Sequence, residues 1–498
     1  MKSGSGRTTP DGSTTADGPP IPEDSFPGNR PITRTGGFLE SPITRRQFLA
    51  GTAAAGAGAF LAACAAPGAS PTGSAALTAS PGASATVAKT FALTRPLKVL
   101  LANHTGFYAM VTPQWEQRTG VKVEFTREAF GPLPLKLTPA FESGGESWDV
   151  VYLWRAWVDL YEKYLEPLDQ IGGFKVDDSD MLPVAVEAAK SSSGKWYGLP
   201  SNVYTYIMYC NKKMFADAGV AIPKTYDEFV AAAKGFTKGD TFGYVDGWAP
   251  LYLFPKWCVW YHLNGGDLYG PSGEVRFDDP IAIKATQDMI ALLPNMPKEV
   301  IESPWGIYDV EAKKVFLGGK AAMIIDYQHI WYEARDKTLS ALGDDPVEVA
   351  IIPGKGGSLP ASGGQFVGEC FGVPKTSPYK DAALDLVQHY SNAATQLGLL
   401  TRRDELHTFE AADESGYPSY RSPYTDASIP SADKKCVDVT FEQQKYKGNR
   451  YGTRAGYQKI SDVVEAAVSA ALHGSDPATE HKKAQAQIDA YLKANPGA

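Results

Sequence analysis

The chain has 498 residues, 43% of them hydrophobic and 21% charged, with a formal net charge of −8. That length and composition suit a soluble globular body of more than one domain, and the acidic balance without basic runs excludes a nucleic-acid partner. Aromatic residues are unevenly placed: among 10 Trp and 25 Tyr, many fall in Gly/Pro/polar loops where core packing would not put them.

Ile43 to Cys64 reads ITRRQFLAGTAAAGAGAFLAAC. Its apolar part is too short and too rich in Ala and Gly for a membrane span, which needs about 20 strongly apolar residues. Thr44–Leu49, with Arg45 and Arg46 at its centre, resembles the twin-arginine export signal, with Ala50 where Lys is frequent. Leu61-Ala-Ala-Cys64 resembles a lipobox, whose cysteine receives the lipid. Residues 1–64 are therefore read as a polar, disordered n-region plus signal. Residues 65–94, rich in Ala, Ser, Pro and Gly, read as a flexible tether. The expected location is outside the cytoplasm, lipid-anchored to the cell membrane at Cys64, since acyl chains supply membrane affinity.

Along the body, Pro96–Leu101 predicts a buried strand and Val111–Arg118 a helix stopped by Gly120. Val121–Phe125 alternates as a second strand, Pro134–Glu142 predicts a helix, and Asp149–Leu153 a third strand. This alternation implies βαβ units and a parallel sheet, with ligand loops at the strand ends. Those loops are Asn103–Phe107 and Trp154–Trp157. Tyr204–Cys210 predicts another strand. Thr225-Tyr-Asp-Glu228 is a capping box, and Asp279-Pro280 opens a helix to Leu293. Phe316–Ile325 is a turn leading into a strand, Ser377-Pro378 caps a helix through His389, and Ile460–Leu472 has helical spacing. Trp257 and Trp260 fall on a helix-like segment and predict core packing.

Apart from Cys64, four cysteines remain: Cys210, Cys258, Cys370 and Cys436. Outside the cytoplasm they can pair in three ways, and the spacing does not choose among them. No C-x-x-C pair occurs, so a structural zinc or redox site is not expected, and no cofactor or metal ligand is assigned. There is no H-E-x-x-H, G-x-S-x-G or Walker pattern, and Pro353-Gly-Lys-Gly-Gly-Ser358 has no helix pattern after it and reads as a surface turn. The chain is not expected to be an enzyme, though acidic pairs for glycoside hydrolysis keep that alternative open.

The stretch GKWYGLPSNVYTYIMYCNKKMFADAGVAIPKTYDEF is similar to the bacterial extracellular solute-binding proteins of carbohydrate uptake, the maltose-binding-like receptors of ATP-driven importers. Trp148–Tyr152 with Tyr164–Leu168, Asn264–Asp267 with Phe277–Pro280, Gly319–Met323, and Gly368–Lys375 agree in order. The resemblance implies an α/β, periplasmic-binding-protein-like fold of type II: two α/β lobes joined by a hinge. Lobe 1 would comprise 95–203 and 367–417, and lobe 2 204–366 and 418–494. The implied partners are a mono- or oligosaccharide in the cleft and the permease and ATPase of an importer, with the receptor itself a monomer.

A sugar ring stacks its C–H face on aromatic plates while its hydroxyls pair with planar polar side chains. By motif position the candidates from the first lobe and crossing are Asn103, His104, Trp154, Arg155, Asn202, Tyr204 and Tyr206. The second lobe offers Trp248, Tyr252, Tyr327, His329 and Trp331, and the return crossing Gly368 and Glu369, with Arg421 and Tyr457 beyond. Tyr327-Gln328-His329 stands where many relatives have Gly-Pro-Trp, and Gly368-Glu369 where many have Gly-Trp, so the ligand cannot be copied from a relative. A glycerol phosphodiester, a polyamine or ferric iron bound by the same kind of receptor remain alternatives.

Overall fold

The computed structural model describes residues 91–249, 252–270, 273–302, 309–355, 366–409, 416–445 and 456–495. Arg45, Arg46, Cys64 and the tether through residue 90 lie outside them, as does the end of the Pro353–Ser358 turn. In chain order the strands are β1 (Leu97–Ala102), β2 (Val123–Glu128), β3 (Val150–Trp154), β4 (Leu199–Thr205), β5 (Ile207–Asn211), β6 (Phe242–Val245), β7 (Ala321–Asp326), β8 (Val347–Ala350) and β9 (Phe366–Gly372). They form two sheets, ordered β2-β1-β3-β9-β4 and β6-β7-β5-β8.

The first sheet begins as the sequence predicts. Leu97, Val99, Leu100 and Leu101 are all buried, as a continuous apolar run must be when helices cover both faces, and β1 pairs in parallel with β2 and β3. Beyond those parallel strands the sheet is mixed. β9 returns from the second sheet and enters antiparallel between β3 and β4. This register sets Glu369 opposite both Trp154 and Asn202.

The single strand expected over Tyr204–Cys210 is two. β4 ends at Thr205 in the first sheet and β5 starts at Ile207 in the second, so Tyr206 is the residue at which the chain changes sheets. The end of β4 is held from the other lobe: Gln328 donates its side-chain amide to Val203 O at 3.0 Å, and its Oε1 accepts from Thr205 N at 3.2 Å. Tyr417 and Val203 exchange backbone hydrogen bonds of 2.8 and 2.9 Å at the same place.

Local chemistry closes the elements. Thr225 and Glu228 complete the capping box of the helix Tyr226–Phe236, and Asp279 caps Pro280–Leu292. Each sheet has its own core, one around Trp115, Tyr108, Phe371 and Tyr390, the other around Trp257, Trp260 and Tyr244. Cys210, Cys258, Cys370 and Cys436 are all buried and unpaired, and burial pushes the Cys436 thiol up to about 12, so these sulfurs act as small apolar groups. Among the described residues no helix is long and apolar enough to cross a membrane.

A buried histidine, His481, and a half-buried one, His389, tie helices to these cores. His481 places Nδ1 2.6 Å from Phe277 O and Nε2 2.8 Å from the Thr286 hydroxyl. His389 lies 3.3 Å from Val111 O. Burial lowers both below the ordinary histidine value of 6.5. The unfolded chain therefore takes up more protons in acid, and stability present above pH 6.5 is lost as pH falls below it. Melting temperatures should drop from about pH 7 to about pH 5, and His481→Asn, which does not titrate, should show a shallower drop. An unchanged slope in that variant would refute the assignment.

Candidate functional site

β1, β3 and β4 run the same way, so their carboxyl ends share one edge of the first sheet, and β6 and β7 do the same in the second. Loops leaving those edges face each other across a cavity. The cavity has a volume of about 230 Å³.

Glu369 is the polar centre of the first-lobe wall. Its side chain is 4% exposed. Its Oε1 accepts from the Tyr152 hydroxyl at 2.5 Å and from His104 Nε2 at 2.9 Å. Burial, then the Glu369 charge, push the Tyr152 phenol well above its usual range, which keeps it a donor. The other carboxylate oxygen, Oε2, is buried without a hydrogen-bond partner. Such an oxygen costs about 1–3 kcal/mol until a donor reaches it.

Aromatic rings flank this carboxylate. Phe130 and Trp154 meet edge to face at 5.7 Å, and Trp154 meets Tyr457 of the opposite lobe at 5.8 Å. Tyr204 lies 6.0 Å from the His104 ring and 5.1 Å from Tyr327, while Tyr206 stacks on Tyr327 at 4.2 Å. The second-lobe wall is the helix Tyr457–Leu472, whose Gln458, Ser461, Asp462 and Glu465 share one face and line the cavity. Phe254, Pro255, Val310 and Lys313 complete it.

The structure brings together nine of the residues singled out from sequence: His104, Trp154, Tyr204, Tyr206, Tyr252, Tyr327, His329, Glu369 and Tyr457. Seven lie off the cavity lining. Asn103 is exposed, and Asn202 sits behind Glu369 inside β4 with its Nδ2 unpartnered. Arg155 is buried beside Glu187 at 3.6 Å, and Trp248 donates to Asp246 at 3.2 Å within the second core. Trp331 donates to Asp433 at 2.9 Å, a structural contact. Gly368 passes under the helix Pro183–Ala189, where a Cβ would meet Ala188 Cβ at 2.5 Å. Arg421 donates to Ser179 O at 2.9 Å, remote from the cleft. Sequence reasoning missed Phe130, Phe254 and the polar helix face, whose signal was the i, i+3, i+4, i+7 spacing of Gln458, Ser461, Asp462 and Glu465.

Among the described residues the lining carries three carboxylates, Glu369, Asp462 and Glu465, against Lys313, which Glu333 pairs at 2.8 Å. Lys355 of the glycine-rich turn is held by Asn264 and Asp288 instead. No described group of His, Cys, Asp and Glu is arranged to hold a metal ion.

The model of the family "Bacterial extracellular solute-binding protein" matches residues 111–412. Among curated proteins, a probable amino-acid ABC transporter periplasmic-binding protein, y4oP, of Sinorhizobium fredii is 26% identical over 42% of this chain and 51% of its own. The sn-glycerol-3-phosphate-binding protein UgpB of Yersinia pseudotuberculosis is 29% identical over 32% of this chain and 38% of its own. The chain thus spans about half or less of the curated relatives it matches. Solved structures are alike over most of both chains. Maltose-bound MalE3 of T. maritima has a TM-score of 0.66 at 20% identity, covering 80% of this chain and all of that one. A ribitol complex of an Agrobacterium radiobacter binding protein has a TM-score of 0.63 at 22% identity, covering 79% and 98%. The GacH receptor of Streptomyces glaucescens gives 0.65 at 22%, covering 81% and 98%.

The two tryptophans separate by experiment. For any ligand that raises the melting temperature, Trp154→Ala should weaken binding by about tenfold, since a central aromatic contact carries about 1–2 kcal/mol. Trp331→Ala should instead cost about 3–5 kcal/mol of stability and leave the dissociation constant of the folded fraction within about twofold. The reverse pattern, read by calorimetry and thermal melts, would move the site.

Proposed function

The chain belongs to the bacterial extracellular solute-binding proteins, and from that premise we propose that it captures a carbohydrate or polyol in the interlobe cleft and delivers it to an ATP-driven importer. The observation carrying this reading is the buried Glu369 carboxylate set among Phe130, Trp154, Tyr204 and Tyr327. Hydroxyls supply the missing donors, and aromatic faces match the C–H face of a sugar ring. The sugar and polyol ligands of structural neighbours, maltose and ribitol among them, support it. The lobes would be 95–203 with 367–417 and 204–366 with 418–494, closing over the ligand by a shift between pre-existing open and closed states. Export by the twin-arginine route and anchoring at Cys64, both supported by the sequence of residues 43–64, and action as a monomer complete the proposal.

The UgpB likeness favours a phosphate-bearing solute. The described lining opposes it: three carboxylates face the cavity, and its lysine is already paired. Iron is disfavoured too, since Tyr206 stacks on Tyr327 rather than converging with it on a point.

Thermal melts of the chain against mono- and oligosaccharides, polyols, glycerol phosphodiesters, polyamines and ferric citrate test the reading. A bound ligand at 100-fold over its dissociation constant adds about 2.7 kcal/mol of stability. A rise with one sugar or polyol series is expected, and a rise only with phosphodiesters would replace the solute class. Separately, Cys64→Ser should move the protein from the membrane fraction to the soluble one, and retention in membranes would remove the lipid anchor.

A further inference from the structure

The carboxylate at the centre of the cleft is unbalanced in charge as well as in hydrogen bonding. Glu369 accepts from Tyr152 and His104 on one oxygen, while Oε2, equally enclosed, has no protein donor. The lysines and the arginine built near it are committed elsewhere, and His104, the base in contact, pairs its charge only when protonated. Arg155 sits beside Glu187, Lys256 is bound to Asp246 at 2.6 Å, and Lys313 is bound to Glu333. Across the cavity the helix Tyr457–Leu472 adds Asp462 and Glu465, so closure brings negative charge toward negative charge.

A neutral hydroxyl would donate to Oε2 but leave that charge uncompensated as water is excluded, and buried charges are costly unless paired. An ammonium does both, and an ammonium donor to a carboxylate forms the stronger, charge-assisted bond. The rings of Trp154, Tyr204 and Tyr327 add faces that attract a cation. A bare polyamine would use the charge but leave the C–H-stacking walls and polar rim unexplained.

We infer that the solute is an aminated carbohydrate or polyol, a protonated amine on a hydroxylated frame, with Glu369 as its ammonium acceptor. This deepens the carbohydrate reading and rests on it.

The test is titration calorimetry of the full chain in detergent against matched pairs: hexoses beside their 2-amino forms, pentitols and hexitols beside their 1-amino forms, and spermidine alone. For one frame, the amine should bind at least tenfold tighter than its neutral partner. In Glu369→Gln, which keeps the shape and removes the charge, that preference should shrink to under about threefold. Should that buried variant not fold, Asp462→Asn, on the exposed helix face, should cut the preference by about twofold to threefold, the scale of a solvent-facing charge. Equal or tighter binding of the neutral partner overturns the amine assignment and leaves the carbohydrate reading standing. Binding of spermidine alone, or of no member of any pair, overturns both. A preference that survives Glu369→Gln, or Asp462→Asn where the first does not fold, also overturns the inference.

Discussion

The cleft floor depends on one buried ion pair. Lys256, on the helix Leu253–Leu263, and Asp246, just past β6, are each about 1% exposed and meet at 2.6 Å. Further hydrogen bonds hold both groups: Lys256 donates to Ile325 O at 2.8 Å, and Asp246 accepts from the Tyr244 hydroxyl, Trp248 Nε1 and Gly247 N. Burial pushes the Asp246 carboxyl up, and Lys256 pulls it back. Such a pair adds little net stability, yet losing one partner costs about 3–5 kcal/mol because the other charge is stranded. What it secures is position. The Lys256 ammonium lies 4.2 Å from the centre of the Tyr206 ring, which also stacks on Tyr327. The residue at which the chain passes between sheets is thereby held by a cation and by an aromatic plane, and Tyr204 and Tyr327 are presented to the cavity from a fixed base.

How far this was legible from sequence follows from how local each signal is. The apolar runs of β1 and β3, the Thr225 capping box and the Asp279 cap are local chemistry and emerge as read. The break at Tyr206 is not local: Tyr204 to Cys210 reads as one strand because sheet membership is decided by partners more than a hundred residues away. The antiparallel entry of β9 has the same cause. Trp154, which ends β3, and Trp331, in the short helix His329–Glu333 after β7, look alike along the chain, each an aromatic residue at or just past a strand end. They differ because Asp433, 102 residues on, takes the Trp331 indole. The polar stripe of Gln458, Ser461, Asp462 and Glu465 looks like an ordinary solvated helix face until the fold turns it toward Glu369.

The same carboxylate bears on how occupancy is sensed. Where the described walls meet directly they do so edge to face, Trp154 on Tyr457 and Tyr204 on Tyr327, contacts worth about 0.5–1.5 kcal/mol each. Attraction of that size does not hold an empty receptor shut, particularly when closing seals Oε2 of Glu369 away from water with no donor to replace it. A solute that supplies the donor removes the penalty and adds its own stacking, so its binding energy differs between open and closed states, which is what shifts a conformational equilibrium. Moving from mostly open to mostly closed takes about 5.5 kcal/mol of such difference. A charge-assisted bond to Glu369 contributes about 1.5–3 kcal/mol of it, and ring contacts on both walls add to it. On the proposed reading, one unsatisfied oxygen would disfavour empty closure and favour loaded closure, and a transporter that engages only the closed form would inherit its selectivity from that atom.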